Sequence, residues 1–210
     1  MSPLSDRPKG GDAPIIAYSL HGSRYLNITN RCSLRCRFCP KFNRQWQVQG
    51  YDLRMVRDPD VREIVNDIGD PTLYHEVVFC GLGESTQRLY TLLSVASWVR
   101  TQGGRVRLNT DGLANLVYSQ DITPQLEGQV DALSISLNAQ DAATYDYHCR
   151  PSLPHSYHAM LDFIGRARRY VPEITLTAID GLDGVNIVAC ERIAENLGVG
   201  FRRRVLDQVG

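Results

Sequence analysis

From residue 24 onward, six segments of strand character alternate with segments of helical character. The strands read RYLNITN (24–30), EVVFCGLG (76–83), RVRLNTDG (105–112), DALSISLN (131–138), EITLTAID (173–180) and VGFRRRVL (199–206). Every connection is long enough for a helix, as strands running parallel require. The faces narrow the choice. Ser134, Ser136 and Asn138 alternate with Leu133, Ile135 and Leu137. Arg107, Asn109 and Asp111 oppose Val106 and Leu108, while Tyr25, Asn27 and Thr29 oppose Leu26 and Ile28. Thr175 shares a face with Thr177, and Arg202 with Arg204. A doubly wound sheet, covered on both sides, reads more continuously apolar. One apolar and one polar face fits a curved sheet with helices outside and a polar interior. The expectation is an α/β fold, an open six-stranded barrel whose chemistry sits at the C-terminal strand ends.

Helices are expected from Asp58 to about Gly69, Gln87 to Gln102, Asp141 to His148, His155 to Tyr170 and Asn186 to Leu197. Residues 41–57 lack a clean period and predict loop with a short helix. IIAYSL (15–20) and the first barrel strand flank His21-Gly22-Ser23, which predicts a β-hairpin. Residues 1–14 are polar and rich in Pro and Gly, so they read as a disordered tail before a single domain over 15–210. The tail lacks the apolar stretch of a signal peptide, and no apolar run reaches membrane-spanning length. A cytoplasmic location is expected. With 23 basic and 23 acidic residues, nothing electrostatic points to nucleic acid or an anionic membrane as the main partner.

In a reducing cytosol, clustered cysteines signal a metal or catalysis. RCSLRCRFCP (31–40) holds Cys32, Cys36 and Cys39 in a C-x3-C-x2-C spacing. Thiolates suit zinc or iron–sulfur clusters. Structural zinc usually takes four protein ligands, and Cys80, Cys149 and Cys190 stand alone. His21 is a conceivable fourth ligand that its spacing does not argue for. Three thiolates on one loop suit a [4Fe-4S] cube with one iron left open.

C-x3-C-x-aromatic-C, with Phe38 before the last cysteine and a strand just upstream, resembles the signature of radical S-adenosylmethionine (SAM) enzymes. The resemblance implies a (β/α)6 partial TIM barrel and SAM chelating the open iron. It also implies reductive cleavage of SAM to methionine and a 5′-deoxyadenosyl radical that takes a hydrogen atom from substrate. FCGLGEST (79–86) is similar to the family's glycine-rich stretch, which implies that Gly81, Gly83 and Glu84 lie at the SAM amino group. NTDG (109–112) is similar to a further family stretch. Asn109, with the inward Ser136 and Asn138, would lie near the SAM ribose and carboxylate, and Thr177 joins this cofactor-lining set. Ser85 stands where many members have Pro. Across the chain, YLNITNRCSLRCRFCPK, EVVFCGLGEST, VRLNTDGLANL, ALSISLNAQDAATYDYHCRP and VPEITLTAID resemble the small radical SAM proteins linked to TatD-family metal-dependent hydrolases.

The resemblance further implies an external reductant, flavodoxin or ferredoxin, and a small substrate or short accessible segment. It does not fix the reaction. Glycyl-radical activation, a ring rearrangement like that of 7-carboxy-7-deazaguanine synthase, and a non-catalytic iron–sulfur module stay open. Cys149, in YDYHCRP (145–151), reads either as a hydrogen-atom donor or substrate contact, or as an apolar thiol ending a helix. His148 and Arg150 share that segment, and Arg150 has the chemistry to clamp a carboxylate or phosphate. Cys80 and Cys190 read as packing. Arg202 and Arg204 hold an anionic substrate if inward, or guard a strand edge if outward. Phe42 and Trp46 either shield the cluster or simply pack.

Overall fold

The computed structural model describes residues 14–43 and 45–205. The tail expected over residues 1–14 lies, but for Pro14, outside them. β1 (Ala17–Leu20) and β2 (Ser23–Leu26) form the expected hairpin, turning through His21 and Gly22 at positive φ. The segment expected to be loop with a short helix holds instead a two-stranded ribbon, β3 (Gln47–Val48) and β4 (Tyr51–Asp52). Gln49 and Gly50 between them both take positive φ, as a two-residue hairpin turn needs. Such a short ribbon is set by its turn and leaves almost no periodic signal.

Helix α1 (Val61–Ile68) starts later than Asp58. Asp60 is its N-cap, in a capping box with Glu63, and Gly69 ends it. Asp58 binds Arg31 at 2.9 Å instead. There follow β5 (Val77–Phe79), α2 (Leu89–Thr101), β6 (Val106–Thr110), α3 (Ala114–Tyr118), β7 (Ala132–Ser136), α4 (Ala142–Cys149), α5 (Ser156–Ala167), β8 (Glu173–Asp180), α6 (Ile187–Asn196) and β9 (Gly200–Val205). Asp141 and Asn186 cap α4 and α6.

The main sheet runs β1-β2-β5-β6-β7-β8-β9, antiparallel in its first pair and parallel in the rest. The six parallel strands follow chain order without reversal. Crossovers of one hand then step the same way, so the helices lie on one side. A doubly wound sheet needs a reversal of order; this one curls. Val77, Phe79, Leu108, Leu133, Ile135 and Leu176 pack outward with Ile64, Leu92, Val95, Met160, Phe163 and Cys190 in one buried core. Cys190 is core, as expected. The other face carries Tyr25, Arg107, Asn109, Ser134, Ser136 and Thr177. No described helix is long and apolar enough to cross a membrane.

Candidate iron–sulfur and SAM site

β2 ends at Leu26, and the chain continues extended into the cysteine loop at the C-terminal mouth of the sheet. Leu34, 4% exposed, roots the loop in the core. Cys32, Cys36 and Cys39 are all partly exposed. The loop turns through Cys39 N donating to the Cys36 carbonyl at 3.1 Å.

Distant segments hold it. Arg35 N donates to the Cys149 carbonyl at 3.0 Å, and Arg37 N to that of His148 at 2.8 Å. The amide and hydroxyl of Ser152 both donate to the Ser33 carbonyl at 2.9 Å. The Arg37 guanidinium donates to the Tyr147 carbonyl and lies over the Tyr147 ring, 3.9 Å from its centre. On the opposite side, Ser33 Oγ donates to Asp111 Oδ2 at 2.8 Å.

Asp111 belongs to a buried bracket around Glu84. Glu84 Oε1 accepts from Thr86 N, Thr86 Oγ1 and Thr110 Oγ1 at 3.0, 2.8 and 2.9 Å, and Oε2 from Asp111 N at 2.7 Å. Both oxygens are therefore used in joining the mouth ends of β5 and β6. Burial and the neighbouring Glu84 push the Asp111 carboxyl well above the usual range.

Gly81 and Gly83 press on the strand that feeds the loop. A Cβ on Gly81 would stand 2.3 Å from Asn27 Oδ1, and one on Gly83 2.1 Å from the Thr29 carbonyl oxygen. Their need for hydrogen in place of a side chain is thus internal. Asn109 accepts from Arg107 at 3.0 Å. Thr177 is buried in register with Ser136, and its carbonyl accepts from Asn138 N at 3.1 Å. Asn138 takes positive φ, accepts from Arg204 at 3.2 Å and donates to Cys149 Sγ at 3.6 Å.

Cys149 ends α4, fully buried between Asn138 and Cys36. That matches the helix-end placement, and the thiol faces the loop rather than open solvent. Cys80 was expected to pack; it faces the polar interior instead, close to Asn109, Arg107 and Arg204. Strand alternation starting from Phe79 puts it there. His21 lies in the β1–β2 turn, at the end of the sheet away from the loop, and so is no fourth ligand. Trp46 packs with Tyr18, Leu53 and Leu82. Phe42, 44% exposed, lines a cleft of about 530 Å³ with Cys36, Arg35, Arg37, Asn43 and Arg150. Phe38 faces a second cleft of about 310 Å³ with Tyr147, His148 and Leu182.

The donor set suits the group the loop implies. The neighbouring Cys149 thiol and then burial raise the pKa of Cys36; burial leads for Cys32 and Cys39. Three protonated soft donors beside Asp111 would lose their protons to solvent on binding a metal centre, whose positive charge would offset the carboxylates. Among the described residues, no three Cys, His, Asp or Glu side chains are close enough to hold a single metal ion. Three thiols of one loop can each meet a separate iron of a cube. Tyr145, fully buried near Cys149, Asp111, Cys36 and Cys32, has a hydroxyl without a partner among the described residues. A stranded hydroxyl costs about 1–3 kcal/mol, so this donor calls for an acceptor on the loop side. Sequence reading missed Tyr145, Ser33 and Asp111 as site residues. Tyr145 sits four residues before Cys149 on α4, and that spacing was the available signal.

Three thiols on the loop after the first parallel strand of an open α/β barrel define the fold and its candidate site. The chain belongs to the Radical SAM superfamily, whose family model matches residues 26–197. Comparison with curated protein sequences gave no match. Among solved structures, Streptococcus suis SuiB bound to precursor peptide SuiA is similar at TM-score 0.62 and 10% identity, over 86% of this chain and 38% of that one. Methylornithine synthase (PylB) is similar at 0.57 and 13%, over 88% and 53%. The FeFe-hydrogenase maturase HydG from Carboxydothermus hydrogenoformans is similar at 0.61 and 13%, over 89% and 44%. The chain spans about half or less of the length of these structures, and at such identities they share the fold.

Proposed function

We propose that the chain is an enzyme that seats one [4Fe-4S] cluster on Cys32, Cys36 and Cys39 and uses SAM to abstract a hydrogen atom from a small substrate or short accessible segment. The observation that carries this reading is the three-thiol loop, strapped between the 147–152 segment and Asp111 at the polar mouth of the sheet. When bound, the cluster supplies the electron that cleaves SAM to methionine and a 5′-deoxyadenosyl radical. The residues proposed to face SAM are Phe38, Gly81, Gly83, Asn109, Ser136, Asn138 and Thr177. Glu84 acts beside them by holding the mouth ends of β5 and β6, since its oxygens are already engaged. The finer resemblance to TatD-linked proteins supports a functional link to a TatD-family hydrolase. SuiB binds a precursor peptide, so peptide segments belong among the substrates tried. Anaerobic reconstitution with iron and sulfide, followed by dithionite and SAM, should yield 5′-deoxyadenosine; none formed would leave a non-catalytic iron–sulfur module.

An acidic electron carrier such as flavodoxin or ferredoxin fits the loop's charge. Although the net charge is zero, no Asp or Glu occurs between Asp12 and Asp52, while Arg31, Arg35, Arg37 and Lys41 do. Arg35, Arg37 and Arg150 are exposed around the cleft at Cys36. The double substitution Arg35→Glu, Arg150→Glu should slow turnover with flavodoxin at least about tenfold through lost steering. Turnover with dithionite is the comparison, and an equal loss with both reductants would count against this docking face.

Cys149→Ala should keep close to the wild-type iron content after reconstitution, because its thiol touches Cys36 from behind the loop. Loss of iron in that variant would make Cys149 a ligand.

A further inference from the structure

Three consecutive arginines in β9 meet three different environments. Arg203 points outward and pairs with Asp180. Arg202 is in register with Thr177, and Arg204 with Ile179, so both side chains leave the inner face of the sheet. Arg204 is partly buried; one of its terminal nitrogens donates to Asn138 Oδ1 at 3.2 Å, and its buried Nε has no partner among the described residues. Arg107, the other inner-face arginine, has its charge met by Glu76 at 2.8 Å. Among the described residues, no carboxylate pairs with Arg202 or Arg204.

A guanidinium stays charged at any physiological pH, and withdrawing one from water without a counter-charge is costly. Burial and the neighbouring Arg202 lower the pKa of Arg204, which marks two like charges held together. Among the described residues, the outer arginine has its carboxylate and the inner pair has none. Asn138 and Cys149 connect Arg204 to Cys36, so the pair lies in the same interior as the cluster loop.

We infer that Arg202 and Arg204 form an anion site on the last barrel strand that holds a carboxylate or phosphate group of the substrate beside the SAM-cleaving centre. This rests on the proposed radical SAM reading. Arg204, with its planar donors and an Nε free to bond, supplies a two-pronged contact, and the more exposed Arg202 adds charge at the entrance. The substrate is then an anion rather than a neutral or cationic metabolite.

The test uses the reconstituted protein and its melting temperature. Inorganic phosphate and succinate are titrated at an ionic strength held constant with potassium chloride, and SAM is titrated separately. Wild type should show a saturable rise of roughly 3–6 °C with phosphate or succinate at about ten times the dissociation constant. Arg204→Met should lose most of that rise while keeping its iron and its response to SAM. Arg202→Met should lose part of it, and Arg204→Lys should retain part of it. Should Arg204→Met fail to fold, the Arg202→Met and Arg204→Lys pair decides. The inference is overturned if wild type shows no rise beyond chloride, or if the rise survives Arg204→Met. It also fails if the SAM response disappears with the anion response, which would give the arginine to SAM's own carboxylate, or if iron is lost, which would give it to the cluster. An anion response that follows the arginines in a protein forming no 5′-deoxyadenosine would keep the site and remove the radical chemistry.

Discussion

Cys32→Ala, Cys36→Ala and Cys39→Ala are each expected to lower 5′-deoxyadenosine formation by more than about a hundredfold, beyond what loss of an outer-sphere contact to a metal costs. The thiols are the only soft donors on a loop that carries no acidic side chain, so no other residue of the loop can replace a missing one. The folded chain should survive the changes. The loop's position is fixed by Leu34 in the core, by the backbone bonds of residues 35 and 37, and by Ser33 to Asp111. None of these uses a cysteine side chain. Iron per chain, 5′-deoxyadenosine and melting temperature of the cluster-free protein should therefore separate: the first two fall while the third holds. Full activity in any one of the three variants would sink the ligand assignment.

Gly83→Ala should be the most damaging of the conservative changes. The added Cβ would stand 2.1 Å from the Thr29 carbonyl oxygen and 2.8 Å from that of Arg31. Both obstacles are backbone and cannot rotate away, so either β5 or the strand leading to Cys32 must shift. A cost of about 3 kcal/mol is expected for such overpacking, or a melting temperature lower by roughly 6–12 °C for a chain of this size. Iron retention should also fall, because Arg31 directly precedes Cys32. Gly165→Ala is the contrasting control. Gly165 lies within α5 with nothing within 4 Å of its added Cβ, so that change should stabilise by about 0.5–1 kcal/mol. If Gly83→Ala melted like wild type and lost only SAM binding, the glycine would serve the ligand rather than the packing.

Gly81 and Gly83 show where sequence reading reached and where it stopped. GLGEST at a strand end announced a close approach, but a sequence does not say whether a ligand or the chain itself approaches. The polar and apolar strand faces were legible because alternation is a local property, and strand order then followed from the evenly spaced crossovers. Cys80 read as packing because the polar groups around it, Asn109, Arg107 and Arg204, come from other strands. Asp111 and Ser33 are 78 positions apart, and no local pattern announces a bond at that distance. The β3–β4 ribbon escaped because two-residue strands carry no period. The start of α1 slipped from Asp58 to Asp60 because both positions offer a capping carboxylate, and only Asp60 has Glu63 at the reciprocal position.

The strap across the cysteine loop also sets an order of events. Arg37 and Tyr147, which meet at the loop, are 110 positions apart. The thiols are synthesised early, and the residues that hold their loop are made more than a hundred residues later. During synthesis the nascent chain thus carries three unsupported thiols through the whole of β5 to β7. In small zinc domains the metal drives folding; here the frame holds without a metal, and the proposed cluster would arrive late. Cells making this protein must keep those thiols reduced until α4 has closed over them.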